Sequence, residues 1–195
     1  MAGRPKTVSD ERVLQALQKT LDSVGPGKLT LAAVGRRCGL SAASVLRRFG
    51  SRERLLQALF AHRQASWDSL LEEVDGTKLS PLAAIFEALA LRARFATPDA
   101  AARFIATSMD DLLDPSRRAL QMTVHREILE ELEDRIQAAM NAREIQATDA
   151  ATLARRIMAL YYGAIYHCAV LGAGSSESYV RGMLSQEAQR LGLVG

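Results

Sequence analysis

Apolar residues return every three or four positions along almost the whole chain, and no stretch shows the strict alternation of a half-buried strand. Ser9 precedes the first such run, with Asp10 and Glu11 placed to complement a helix dipole and Val13, Leu14, Leu17, Leu21 and Val24 at helical spacing. Gly25-Pro26-Gly27 ends it. Thr30 caps a short second helix stopping at Gly39, Ser41 a third stopping near Gly50, and Ser51 a fourth. That fourth helix carries a long stripe, Leu55, Leu56, Leu59, Phe60, Trp67, Leu70, Leu71 and Val74, and closes at Asp75-Gly76-Thr77. Three further starts share one chemistry: Ser80-Pro81, Thr97-Pro98 and Asp114-Pro115 each put a capping side chain before a proline that has no N–H to lose. Thr148 or Asp149 opens an eighth helix running to Gly172, and the linker from Gly172 to Ser175 leads into a ninth ending near Leu191. The pattern predicts an all-α chain of nine helices without a sheet.

The second and third helices are eight to nine residues long and joined only by Gly39-Leu40, the spacing of a helix-turn-helix. Gly35 lies inside the second helix, where glycine costs about 1 kcal/mol against alanine, so a close approach there is expected. Val34, Leu40, Val45 and Phe49 fill the wedge between the two helices. At about 100° per residue, Ala43, Ser44 and Arg47 point away from that wedge, with Leu46 and Arg48 on the flanks. Small residues at a helix N-terminus admit a phosphate backbone, and an arginine can donate two hydrogen bonds to guanine in a major groove. Arg52 and Arg54 open the fourth helix, where cations oppose the dipole unless phosphate compensates them.

Charge separates along the chain. Net charge is only +3, but residues 1–63 hold twelve Lys and Arg against four Asp and Glu, while residues 64–195 hold thirteen against eighteen. A basic lobe of +8 on a body of −5 suits a module that meets a polyanion. The expected division is a basic helix-turn-helix DNA-binding domain at 1–63 and a separate helical body at 64–195.

The stretch LTLAAVGRRCGLSAASVLRRFGSRERLLQALF, Leu29 to Phe60, resembles the tetracycline-repressor (TetR) family of bacterial transcription regulators. The remaining two-thirds resembles it only in architecture. The resemblance implies that Thr30, Ala42, Ala43, Ser44, Leu46, Arg47, Arg48 and Arg52 lie at a double-stranded operator DNA, with Arg4 and Lys6 as an arm reaching an adjacent minor groove. Leu46 stands where the family usually has a tyrosine that touches the DNA backbone, and leucine has no hydrogen bond to donate. Gly35 replaces a common alanine, which is expected to be benign. The family also implies a repressor acting as a homodimer and answering to a small-molecule effector, with 64–195 as the ligand-binding and dimerisation domain; the start without an apolar signal region and the two cysteines without a disulfide framework suit a reducing cytoplasm.

In the body, Phe86, Phe104, Met109, Met122, His125, Tyr162 and Tyr166 are the candidates for lining an effector site, since methionine fills irregular space and tyrosine couples an apolar ring to a polar tip. Leu153, Ile157, Leu160, Ala164, Val180, Met183 and Leu184 on the last two helices are the candidates for the dimer contact. No glycine-rich phosphate loop, nucleophile elbow or His-Glu-x-x-His stretch is present, so no enzymatic activity, metal or cofactor is expected. Two distant cysteines make no disulfide framework. The longest apolar stretch, Met158 to Gly174, is short for a membrane span and interrupted by His167, so no membrane association is expected. Two other readings stay open on sequence alone: an activator or a regulator answering to a protein partner, and a helical adaptor that does not bind DNA.

Overall fold

The structure, a computed structural model, describes residues 8–95, 97–146, 148–172 and 174–192. Nine α-helices and no strand occur among them: α1 (Asp10–Val24), α2 (Leu31–Cys38), α3 (Ala42–Phe49), α4 (Arg52–Asp75), α5 (Pro81–Arg92), α6 (Pro98–Leu113), α7 (Pro115–Asn141), α8 (Ala150–Leu171) and α9 (Ser176–Arg190). One 3-10 turn, Pro26–Lys28, follows α1. Every α-helix begins on a capping side chain: Ser9, Thr30, Ser41, Ser51, Ser80, Thr97, Asp114, Asp149 and Ser175 each accept a backbone N–H from two or three residues ahead. Between Thr148 and Asp149, the structure selects the aspartate.

Two hydrophobic clusters form. Val13, Leu14, Leu17, Leu21, Val34, Cys38 and Val45 enclose the first, together with Leu55, Leu56 and Leu59 of α4. The second and larger one gathers Trp67 and Val74 of α4 with Leu82, Ile85 and Leu89 of α5, Ile128, Leu132 and Ile136 of α7, and the inner faces of α8 and α9. One helix therefore serves both clusters, and the boundary expected at residues 63 and 64 falls within α4, between Leu59 and Trp67.

α7 splints α4 at both ends. Arg135 grips Asp75 through two hydrogen bonds of 2.6 and 2.7 Å at the far end of α4, while Ser116 donates to Glu53 at its start (3.2 Å). Head and body also meet through polar groups. Arg103 of α6 donates to the Asp22 carbonyl, and Arg63 of α4 donates to Gln18 of α1 (2.8 Å). Burial pushes the Asp22 carboxyl above the ordinary aspartate range, against the pull of its hydrogen bond from Gln18 and of Arg63.

Two sequence expectations change. Leu153, Ile157 and Ala164 of α8, and Val180 and Leu184 of α9, are at most 2% exposed in the protomer's own core, so no partner can reach them. Their helical stripe is spent on α7, α5 and each other. Leu160 and Met183 are half-buried. The outer surface of α8 is instead formed by residues such as Ala159, Tyr166, Val170 and Leu171.

The second change concerns Gly35, which is required rather than benign. A Cβ there would lie 2.4 Å from the Leu40 carbonyl oxygen, because the turn folds back across α2. Gly39 takes a left-handed conformation (φ 75°), and Leu40 N–H returns to the Gly35 carbonyl at 2.8 Å. Gly35→Ala gains helix propensity of about 1 kcal/mol but must displace backbone, a class of change costing about 1–3 kcal/mol. The expected outcome is a net loss of stability, read as a fall in the thermal midpoint followed by circular dichroism; an unchanged or raised midpoint would refute the tight contact.

Candidate functional site

α3 is short and highly asymmetric. Ser41 Oγ accepts the Ser44 N–H (3.1 Å) and bonds the Ser44 hydroxyl (2.9 Å), so both serines are held at the helix start. Val45 is fully buried and Phe49 packs against the head core. The other face is free of packing: Ala43, Arg47 and Arg48 are exposed, Ala42 and Ser44 are half-exposed, and Leu46 is 45% exposed. Thr30 stands exposed at the start of α2, with its hydroxyl accepting the Ala33 N–H (3.2 Å), and Arg52 is exposed in the first turn of α4. The candidate DNA residues of the described chain are thus exposed or half-exposed along α3 and at the starts of α2 and α4. Arg4 and Lys6 lie outside the described residues.

One side chain departs from this free face. Arg48 Nε pairs with Asp10 at 2.9 Å, which ties the end of α3 to the start of α1. The pairing was not foreseen, since Asp10 served in sequence as a dipole-complementing residue of α1 alone. Arg47 is left as the cation of α3 that makes no ion pair among the described residues.

The body holds a cavity of 610 Å³ between α6, α7 and α8. Six of the seven candidate effector residues line it: Phe104, Met109, Met122, His125, Tyr162 and Tyr166. The His125 and Tyr162 rings stand 6.2 Å apart, and Phe104 leans on Phe95 at 4.8 Å. Tyr161, fully buried beside Tyr162, has its phenol pushed up to about 12 by burial, against the pull of Arg92. Phe86 is corrected. Its position on α5 faces α9, where it lines a separate cleft with Leu79, Glu87, Arg181 and Leu184.

Ile105, Ser108, Leu112, Gln121, Gly163 and His167 complete the lining of the main cavity. Sequence reading had passed over most of these. Their signal was present on α6, since Phe104, Ile105, Ser108, Met109 and Leu112 follow the three-to-four spacing of one helix face. Among the described residues no grouping of His, Cys, Asp and Glu is suited to a metal ion, and no helix is long and apolar enough to cross a membrane.

Residues 13–59 match the family model described as bacterial regulatory proteins, tetR family. Solved structures share the fold over nearly the whole chain. A TetR transcription regulator from Haloarcula marismortui is 17% identical, with a TM-score of 0.79 over 93% of this chain and 97% of that one. A transcriptional regulator from Saccharomonospora viridis, in complex with choline, is 17% identical, with a TM-score of 0.75 over 92% and 95%. SmeT, the repressor of the Stenotrophomonas maltophilia multidrug efflux pump SmeDEF, is 16% identical, with a TM-score of 0.68 over 94% and 90%. No curated protein matches the chain. The match of residues 13–59 covers the helix-turn-helix, and the nine-helix fold is shared with these solved regulators.

The two serines at the start of α3 make a local prediction. Ser41→Ala removes the acceptor for the Ser44 N–H and should cost about 1 kcal/mol. In chemical denaturation the midpoint should fall while the slope stays constant; no shift would mean that the cap does not hold α3.

Proposed function

We propose that this protein is a TetR-family transcription regulator, a cytoplasmic repressor that binds inverted-repeat operator DNA as a homodimer and is released by a small, largely apolar molecule. The observation that carries the reading is the division of α3 into a buried edge and an exposed face bearing Ala43, Ser44 and Arg47. A face without packing duty, at the start of a capped helix in the basic lobe, suits entry into a major groove. Residues 1–63 form the DNA-binding domain in this reading, and 64–195 the sensing and dimerising one.

Arg47 reads base edges. Ala42 and Ala43 let the backbone approach, Ser44 and Thr30 donate to phosphate, and Leu46 packs on sugar or a thymine methyl. Arg52 touches phosphate, Arg4 and Lys6 form the arm, and Arg48 exchanges Asp10 for phosphate or stays as a strut. The effector occupies the cavity at Phe104, Met109, Met122, His125, Tyr162 and Tyr166, whose apolar lining favours an aromatic or aliphatic ligand. Dimerisation uses the exposed flanks of α8 and α9, with Leu160 and Met183 at their margins. The large apolar side chains left open at the end of α8, Val170 and Leu171, support a partner there.

Selection of genomic fragments by the purified protein tests the whole reading. An enriched inverted repeat is expected, with half-sites about one helical turn apart, roughly 34–36 Å; failure to enrich any sequence removes it. Arg47→Ala should cost about 1–3 kcal/mol on the selected site and relax its sequence preference. Arg52→Ala should weaken all DNA alike and lower the salt slope by about one. Equal losses on selected and random duplexes for Arg47→Ala would reverse its assignment. Sedimentation at micromolar concentration should give a dimer, and a concentration-independent monomer excludes the symmetric operator.

A further inference from the structure

The corner between α6 and α7 holds a charged hub that neither the DNA face nor the cavity accounts for. Arg117 is 8% exposed, yet its guanidinium meets four carboxylates. Its Nε donates to Asp111 (3.0 Å) and its Nη2 to Asp110 (2.9 Å), while its Nη1 faces Asp114 at 3.5 Å and Glu53 at 3.8 Å. Ser116 reinforces the last of these by donating to Glu53 (3.2 Å). Glu53 belongs to the first turn of α4, which follows α3 after Gly50-Ser51.

The hub also reaches the cavity. Asp111 is 4% exposed and has both oxygens engaged, one by Arg117 and the other by the Gln121 amide at 3.4 Å. Gln121 lines the cavity, as do Ser108, Met109 and Leu112 from the last turns of α6. A continuous polar path therefore runs from the cavity wall through Gln121, Asp111 and Arg117 to Glu53. Four negative groups share one buried cation, with Arg63 as the further positive influence on Asp111. Such a cluster is sensitive to small displacements, because each carboxylate that loses Arg117 is left beside like charges.

We propose that Arg117 is the joint through which the state of the cavity bears on the DNA-reading head, with Gln121 as its input and Glu53 as its output. The proposal rests on the reading of the body as the sensing half. A ligand that engages the Gln121 amide, or displaces Met109 and Leu112, moves Asp111 and with it the guanidinium. Arg117 then loosens its hold on Glu53, and the start of α4, with α3 before it, tilts more freely. Arg117 acts here as a positioning residue and touches neither DNA nor effector.

Hydrogen exchange on the free, full-length protein tests this without a known ligand. Glu53→Gln combined with Ser116→Ala breaks the output end, and both positions are exposed enough for the fold to survive. Amides from Leu55 to Ala58 should exchange about tenfold faster, the loss of a charge-assisted contact that holds the segment. Gln121→Ala breaks only the input end and should quicken the same amides, while those from Ile157 to Ile165 in α8 keep their wild-type rates. If Gln121→Ala leaves Leu55 to Ala58 unchanged, or quickens α8 as much as α4, the joint does not exist. This result stands apart from DNA binding: failure of the function reading appears as an empty selection by the wild-type protein.

Discussion

The helix α4 cannot be divided between head and body, and the architecture depends on that constraint. Leu55, Leu56 and Leu59 bury themselves in one hydrophobic cluster, Trp67 and Val74 in the other. An unbroken backbone ladder connects them. α7 fastens to this rod at both ends, at Glu53 and at Asp75. The body therefore holds α4 along its length, from its first turn to its last. A polar contact, Arg103 on the Asp22 carbonyl, joins α6 to the end of α1 beside this rod.

Much of the fold was legible because its signals are local. A capping side chain acts on an N–H two or three residues away, so Ser80-Pro81, Thr97-Pro98 and Asp114-Pro115 announced helix starts without any knowledge of the tertiary structure. The wedge of Val34, Leu40, Val45 and Phe49 was legible for the same reason, being made by two helices almost adjacent in sequence. What failed was of another kind. An apolar stripe states that a helix face is covered, but not by what. Ile157 and Val180 carry the same periodic signal whether they meet α7 and α5 or a second subunit, and the structure gives them to the protomer.

Phe86 failed similarly, since its partner helix was α9 rather than the cavity-forming ones. Gly35 was recognised as a place of close approach, but what approaches is the carbonyl of its own turn, five residues later. The pair of Arg48 with Asp10 and the hub around Arg117 were out of reach because they join residues from separate helices. The cavity was the reverse case. Its six residues were chosen for chemistry, and the structure brings them to one open cavity between three helices, the site proposed for the effector.

The free face of α3 bears on how such a protein can change over generations. Ala43 and Arg47 contribute nothing to the head core, which rests on Val45 and on the turn at Gly35 and Leu40. Substitutions on that face are therefore nearly neutral for folding, while those one position away, at Val45, are not. With that face reading DNA, as proposed, recognition and structure are coded at alternate positions of the same two turns. Lineages descended from this chain can explore new target sequences at full stability, and two copies arising by duplication can part in what they recognise while remaining interchangeable in how they fold.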